Sequence, residues 1–372
     1  MASVYQQECE KLFQQADIRF NDTRPGDITV HDPRFYKLFL QNSRLGLGES
    51  YMDGWWDCAD LELMFFKLFT SNIDISFDMK NLPFYLAALK AKIIPMGSKE
   101  RSACIGPNHY DNGNTLYRLM LGPTMQYSCG YWKDAGNLDE AQTHKMELIC
   151  RKLQLRPGMR VLDVGCGWGS LAKYMAEHYQ VSVVGITVSQ EQLEWGRQNC
   201  AGLAVDLRLL DYRDVSEQFD RVVSVGMMEH VGVKYHRVYM ESVKRCLKKD
   251  GLFLLHHITT NQSKWSNLWL DKYIFPGAKP PSMREIARSS EGVFIIEDVH
   301  NFGADYHPTL MAWYENFCRH WPEIADKYNR TFYRMWEYYL LSVAAGFRAR
   351  GIQLTQTVFS VDGILGGYPS VR

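Results

Sequence analysis

The chain has no excess of charge of either sign: 42 lysines and arginines balance 42 aspartates and glutamates over 372 residues. That balance excludes the global basic field that recruits nucleic acid or an anionic membrane. No nucleic-acid partner is expected, and any membrane attraction has to come from a local patch. No uninterrupted apolar run approaches the roughly 18 residues that cross a bilayer. The nine cysteines include no C-x-x-C pair. An odd, scattered set excludes a disulfide scaffold and a zinc ribbon and predicts a reduced chain with no bound metal. The opening Met-Ala-Ser-Val, with Glu8 and Glu10 close behind, lacks the basic-then-apolar pattern of a secretory signal. Internal repeats and low-complexity tracts are missing as well. These absences predict a cytoplasmic protein, peripheral to a membrane at most. Aromatic residues, by contrast, make up 13% of the chain, enough to fill a core and also to line an apolar channel.

The length predicts two domains, or three. Residues 2–17 place Tyr5, Cys9, Leu12 and Phe13 on one helical face. A brief strand fits 28–30, a helix fits 34–41, and a mostly apolar stretch at 61–69 suits a buried or interfacial helix. Residues 1 to about 84 therefore read as a small, mainly helical domain. Between Lys80 and Arg101 the charge turns positive, with Lys90, Lys92 and Lys99 interleaved with Phe84, Tyr85, Leu89, Ile93 and Ile94. A basic amphipathic segment of this kind, bounded here as a linker at 85–102, lies on a membrane surface or solvates a lysine face. From 103 to 372 strands and helices alternate, which predicts an α/β domain with a mostly parallel sheet and helices on both faces. Strands fit 160–164, 181–187, 205–210, 221–226, 251–258, 293–299 and 352–360. Helices fit 170–179, 189–200, 234–249, 309–328 and 330–349. The segment 259–292, with Trp265, Trp269, Tyr273 and Phe275, interrupts the alternation in the manner of a lid or substrate wall.

The chemistry concentrates at Val161-Leu162-Asp163-Val164-Gly165-Cys166-Gly167-Trp168-Gly169-Ser170-Leu171. This is a buried strand, a glycine turn and a helix start. The glycines let a ligand reach the backbone, and the helix start offers free N–H groups. Ser170 stands where a dinucleotide-binding G-x-G-x-x-G has its third glycine, and Gly185-Ile186-Thr187 occupies the zone of the expected ribose-binding acid. An S-adenosylmethionine site fits best, with NAD or FAD second. Ligands of parallel sheets sit outside the carboxyl ends of the strands, which selects Asp163, Thr187, Asp211, Gly226 to His230, and His256 to Ile258. Thr187 and Gln192 offer neutral hydrogen bonds, Asp211 an acceptor for an adenine amino group, and Tyr212 a ring beside it. Glu229 and His256 are the candidates for proton chemistry, set against a helix cap and a satisfied core histidine. Cys129, from the residues alone, reads first as a small buried filler.

The chain also resembles the bacterial cyclopropane-fatty-acyl-phospholipid synthases, a family of class I S-adenosylmethionine-dependent methyltransferases, over essentially its whole length. The resemblance is carried by His109 to Asn114, Gln126 to Cys129, Leu162 to Gly169, Ser224 to Gly232, Asn301 to Tyr306 and, in the first domain, Gly46 to Trp56. It implies a Rossmann-like, mostly parallel seven-stranded sheet whose last strand, near 352–360, runs antiparallel. It also implies a bicarbonate ion held by Cys129, Glu229, His256, the Ile258 backbone and Tyr306. Tyr127 and Ser128, the glycine loop with Gly165 and Gly167, Thr187, Gln192 and Tyr212 match positions that hold S-adenosylmethionine. A homodimer acting on unsaturated phospholipid at the cytosolic face of the inner membrane is implied in the same way. His257, beside His256, departs from the small polar neighbour expected there. Two other readings stay open from the residues: methyl transfer to nitrogen or oxygen of a small molecule, and a non-catalytic lipid-binding module.

Overall fold

The computed structural model of the chain describes residues 4–71, 73, 113–263 and 267–372. The basic linker at 85–102, the His109 to Asn112 part of the first quoted motif, and Trp265 lie outside the described residues. The chain divides into two compact units, one of Met1–Ile94, Ser266–Pro276 and Leu310–Gly351, the other of Pro95–Trp265, Gly277–Thr309 and Ile352–Arg372.

The first unit is helical with one small ribbon. Helix Val4–Gln14 buries Cys9 and Phe13, while Tyr5, placed on the same face by the sequence pattern, is exposed in the first turn. Strand β1, Ile28–Val30, pairs antiparallel with β2, Trp56–Cys58. The helix expected at 34–41 runs on to Met52 as Arg34–Met52, with a break at Ser43 (φ 48°). Past the break its glycines are needed for close approach. A β-carbon on Gly46 would sit 2.6 Å from the Leu38 carbonyl oxygen, and one on Gly48 would sit 2.4 Å from the Trp269 ring. Helix Leu61–Thr70 is capped by Asp60, whose side chain accepts from the Leu63 N–H. Arg334, on helix Arg330–Arg348, ties the unit together. Its guanidinium donates to the Tyr51 and Trp56 carbonyls, pairs with Asp57 at 2.7 Å and lies over the Tyr51 ring at 3.9 Å. Helix Leu268–Tyr273, from the expected insertion, packs Trp269 against Tyr338 with ring centres 4.4 Å apart.

The second unit is built on seven strands: β3 Arg160–Val164, β4 Ser182–Thr187, β5 Val205–Leu209, β6 Phe219–Val225, β7 Leu247–Thr260, β8 Ile295–Asn301 and β9 Ile352–Ser360. Their order is β5-β4-β3-β6-β7-β9-β8. The first five strands in sequence pair in parallel, and β9 runs antiparallel to both β7 and β8. Successive side chains of a strand point to opposite faces, and here both faces are buried. Leu162, Val164, Val222, Phe253 and Phe359 face one core with Tyr239 and Met240, and Val161, Val183, Val223, Leu254 and Val358 face another with Ile149 and Met175. Strand β7 outruns the expected 251–258 because β9 pairs with it through Thr260↔Ile352. The helix expected at 309–328 is Tyr306–His320, stopped where Pro322 withholds a backbone donor.

Candidate active site

Strand β3 ends in Asp163, and the chain then turns through Gly165, Gly167 and Gly169, all at positive φ (84°, 55° and 79°). Gly165 and Cys166 donate their N–H groups to the Ile186 carbonyl of β4, at 2.9 and 3.0 Å, which folds the turn over the sheet edge. The three glycines do different work. A β-carbon on Gly169 would come within 3.1 Å of Cys200 and Leu207, so that glycine serves packing, whereas one on Gly167 would meet open space. The open space is a cavity lined by the turn, Met125 to Ser128, Thr187, Gln192, Asp211, Tyr212, Gly226, Met227 and His230.

All nine residues expected at a cofactor site line this one cavity: Tyr127, Ser128, Asp163, Gly165, Gly167, Thr187, Gln192, Asp211 and Tyr212. Asp163 is buried, its Oδ2 has no partner, and burial pushes its carboxyl up to about 7. Thr187 Oγ1 donates to Gln192 Oε1 at 3.0 Å, so the two neutral groups order one another. Asp211 accepts from the backbone and guanidinium N–H groups of Arg213. The Tyr212 ring packs edge-on to Tyr239 at 5.1 Å. Tyr127 packs against Tyr117, which in turn meets Trp168.

The second group of expected residues does not line that cavity: Glu229 follows β6, His256 and Ile258 lie within β7, Cys129 precedes helix Leu138–Lys152, and Tyr306 opens helix Tyr306–His320. Glu229, in the short helix Met228–Val231, accepts from the Ile258 backbone N–H at 2.7 Å. Its other oxygen, Oε2, is buried with no partner, and burial pushes this carboxyl up to about 7. His256 lies opposite Gln356 of β9, whose Nε2 donates to His256 Nδ1 at 3.2 Å. The ring proton then sits on Nε2, which is buried and also without a partner. Burial, with Lys145, His257 and Lys152 nearby, holds His256 well below its usual range and therefore neutral. Strand alternation turns His257 to the opposite face, where its ring nitrogens meet Thr259 and Thr355. Cys129 is fully buried, its thiol pushed up by burial and by the Asp305 charge. Its segment is fastened beside Tyr306: Gly130 donates to Thr309 Oγ1 and Trp132 to Asp305 Oδ2, at 3.1 and 2.7 Å. Tyr306, the first residue of its helix, is buried as well.

Sequence reasoning missed three polar residues. Gln142 and Lys145, three apart on helix Leu138–Lys152, both grip the 126–128 segment. Gln142 Nε2 donates to the Ser128 carbonyl at 2.9 Å, and Lys145 Nζ donates to Gln126 Oε1 and Ser128 Oγ, each at 2.7 Å. The available signal was their place on the same helical face as Met146 and Ile149, where a polar pair is out of pattern. The third is Gln356, whose partner across the sheet no local pattern discloses.

A small polar ligand suits the chemistry of these residues. Glu229 Oε2 and His256 Nε2 are buried without partners, and a buried polar atom left unpaired costs about 1–3 kcal/mol. Among the described residues no cluster of ligands suits a metal ion, and no helix is long and apolar enough to cross a membrane.

The mycolic acid cyclopropane synthetase family matches residues 98–357. The chain is 52% identical over 355 residues to the cyclopropane-fatty-acyl-phospholipid synthase of Escherichia coli strain K12, covering 94% of this chain and 92% of that one. It is 38% identical over 262 residues to a probable fatty acid methyltransferase of Pseudomonas putida, covering 67% and 66% of the two. Among solved structures, the cyclopropane synthase MmaA2 of Mycobacterium tuberculosis superposes with a TM-score of 0.66 at 28% identity, over 71% of this chain and 99% of that one. The mycolic acid cyclopropane synthase CmaA1, complexed with SAH and CTAB, superposes with a TM-score of 0.64 at 30% identity, over 69% and 97%. With a class I methyltransferase sheet and these likenesses in hand, the chain belongs to the mycolic acid cyclopropane synthetase family and is an enzyme.

Proposed function

We propose that this enzyme transfers the methyl group of S-adenosylmethionine to the cis double bond of an unsaturated phospholipid acyl chain and closes a cyclopropane ring with release of one proton. The observation that carries the reading is two buried, unpartnered atoms, Glu229 Oε2 and His256 Nε2, on a residue that follows β6 and a residue of β7; the glycine-turn cavity is lined by Met227 and His230, close to Glu229 in the chain. The likeness to a cyclopropane-fatty-acyl-phospholipid synthase and to a probable fatty acid methyltransferase supports the lipid substrate, and the likeness to CmaA1 complexed with SAH supports the methyl donor.

In this reading the glycine turn admits the cofactor to the backbone, Asp163 and Tyr212 flank it, and Thr187 with Gln192 supplies neutral hydrogen bonds. Cys129, Glu229, His256, Ile258 and Tyr306 hold a bicarbonate ion, which when bound supplies the base for the last proton. An isolated alkene is a poor nucleophile, so alignment with the sulfonium methyl has to provide much of the acceleration, and effective molarities for oriented groups reach about 10⁵–10⁸ M. Transfer forms one C–C bond and breaks the S–CH₃ bond, leaving a carbocation on the acyl chain. Aromatic faces stabilise such a cation by about 0.5–2 kcal/mol each. Loss of a proton from the transferred carbon closes the ring, so the lipid gains CH₂. The burial of Cys129, Glu229 and His256 excludes the water that would trap the cation as an alcohol.

Drawing about nine methylenes out of a bilayer would cost about 7 kcal/mol at ~0.8 kcal/mol each. Docking on the membrane avoids that cost. In this reading residues 1–84 form a lipid-associated domain, the 85–102 linker contributes basic charge, and a homodimer works at the cytosolic face of the inner membrane.

Incubation with vesicles of unsaturated phospholipid and labelled S-adenosylmethionine, followed by mass analysis of the acyl chains, tests the reaction. A gain of one CH₂ with loss of unsaturation is expected; label confined to headgroup nitrogen would overturn it. Docking is tested by cosedimentation of a Lys90→Glu/Lys92→Glu variant with anionic vesicles at low salt, and undiminished binding would reject the role of the linker.

A further inference from the structure

The buried lysine at the back of the cavity has no place in the reading above. Lys145 is wholly inaccessible to solvent. Its amine spans Gln126 Oε1 and Ser128 Oγ, two residues of the cavity wall, and Ser128 adjoins Cys129. Its charge acts on both Cys129 and His256, which belong to different elements. The other charged group acting on the Cys129 thiol is Asp305. Lys145 has no salt bridge among the described residues, and burial lowers its ammonium to about 7. A buried ammonium without an anion is costly, and an anion in the same place without a cation is equally so. Each charge offsets part of the other's penalty when both are present.

We propose that Lys145 is a positioning residue that becomes charged as the ligand enters: it takes a proton from solvent when a carboxylate-type anion is held beside Cys129 and His256, and so makes that anion bind as half of an ion pair. The inference rests on the proposed function, because it needs an anion at that place. Two sources carry the chemistry, bicarbonate and the carboxylate of the amino-acid moiety of S-adenosylmethionine. An ammonium has three donors and Lys145 uses two on the wall. The bonds to Gln126 and Ser128 keep the nitrogen fixed whether or not it is charged.

The sign follows from linkage. Above pH 7 the empty protein holds Lys145 mostly neutral, so binding the anion draws in a proton, and affinity falls by up to tenfold per pH unit as pH rises. Below pH 7 the amine is already charged and little is drawn in.

The test is calorimetry of full-length protein at pH 8 in buffers of different ionisation heat. Bicarbonate alone is titrated first, then S-adenosylhomocysteine in carbonate-free solution, against wild type, Lys145→Met and Lys145→Arg. The expected result is uptake of close to one more proton by wild type than by either variant, in the bicarbonate arm or in the S-adenosylhomocysteine arm, which tells the two sources apart. Lys145→Arg, with a fixed charge, should also show a shallower fall in affinity between pH 7.5 and 9 than wild type, the remaining slope belonging to Glu229; it carries the test alone if Lys145→Met does not fold. Equal proton counts in wild type and variants, with binding intact, overturn the role of Lys145 and leave the proposed function standing. Failure of wild type to bind either ligand overturns both.

Discussion

Replacing Glu229 by glutamine separates what this residue does for the fold from what it does for the reaction. In the fold it accepts one hydrogen bond from the Ile258 N–H at 2.7 Å and leaves Oε2 buried without a partner. Burial raises its carboxyl from 4.5 to about 7. An acid whose folded pKa is raised is stabilising in its protonated form: the fold is unopposed below pH 4.5 and penalised progressively as pH rises through 7. At ~1.4 kcal/mol per pH unit between the two values, the penalty is about 1 kcal/mol at pH 5 and about 3 kcal/mol at pH 8.5. Glutamine keeps an oxygen for the Ile258 N–H and cannot ionise. Urea unfolding of wild type and Glu229→Gln from pH 5 to 8.5 should therefore give curves that diverge by about 2–3 kcal/mol, the variant gaining with pH. Asp163 titrates in the same range but is common to both proteins and cancels in the difference. Methylene transfer by the variant should fall by about 10²-fold or more, the scale of an acid–base group in a reacting site. Parallel stability curves would refute the claim that Glu229 is an uncompensated buried acid, whatever the loss of activity.

Three further outcomes follow from the same geometry. Gly167→Ala should fold with a cost of about 1 kcal/mol for its left-handed backbone, because its β-carbon meets nothing within 4 Å; calorimetry should nevertheless show S-adenosylhomocysteine affinity lowered by about tenfold or more, in line with a ligand lying on that backbone. Asp163→Asn should be the more stable protein above pH 7, since burial raises that acid from 3.8 to about 7, and should bind S-adenosylhomocysteine less tightly; thermal unfolding with and without ligand checks both signs. Arg334→Ala strands the Tyr51 and Trp56 carbonyls in a buried setting and should cost about 2–4 kcal/mol in urea unfolding, while Asp57, half exposed, contributes little of that loss.

The parallel sheet was legible because its strands are short apolar runs bounded by turn residues, and strands β3 and β9 fall at the residues the pattern indicates. Helix Arg34–Met52 was half legible. Gly46 and Gly48 argue against a helix by propensity, and only the nearness of Leu38 and Trp269 explains why they stand in one. That later segments join residues 1–94 in the first unit was not legible, since Trp269 and Tyr338 meet from segments far apart in the chain. For the site, the strand-end rule selected Asp163, Thr187, Asp211, Glu229 and His256 from chain order alone. Tyr127, Ser128, Cys129 and Tyr306 precede or follow the central strands on loops and a helix start, so no periodicity picks them out and only the family resemblance did. Lys145 escaped because a lysine on a helix is ordinarily solvated, and its burial is a property of the segment packed over it.

Asp163, Glu229 and Lys145 share one physical condition. Each is fully buried, none has a salt-bridge partner among the described residues, and burial brings all three to about 7. A fold selected for stability alone would replace such groups by apolar side chains of similar volume, which is often neutral or favourable. Their cost is carried by a sheet packed on both faces, whose cores lie behind the site. Ligand charges can offset that cost: a sulfonium can compensate a carboxylate, and an anion can compensate an ammonium. With all three values at about 7, each group is about half ionised near neutrality, where their net charge is small, and in the proposed reading the ligand charges decide which of them ionise. A site of low net charge attracts water less than one that holds a fixed charge, and a carbocation reaction requires that dryness.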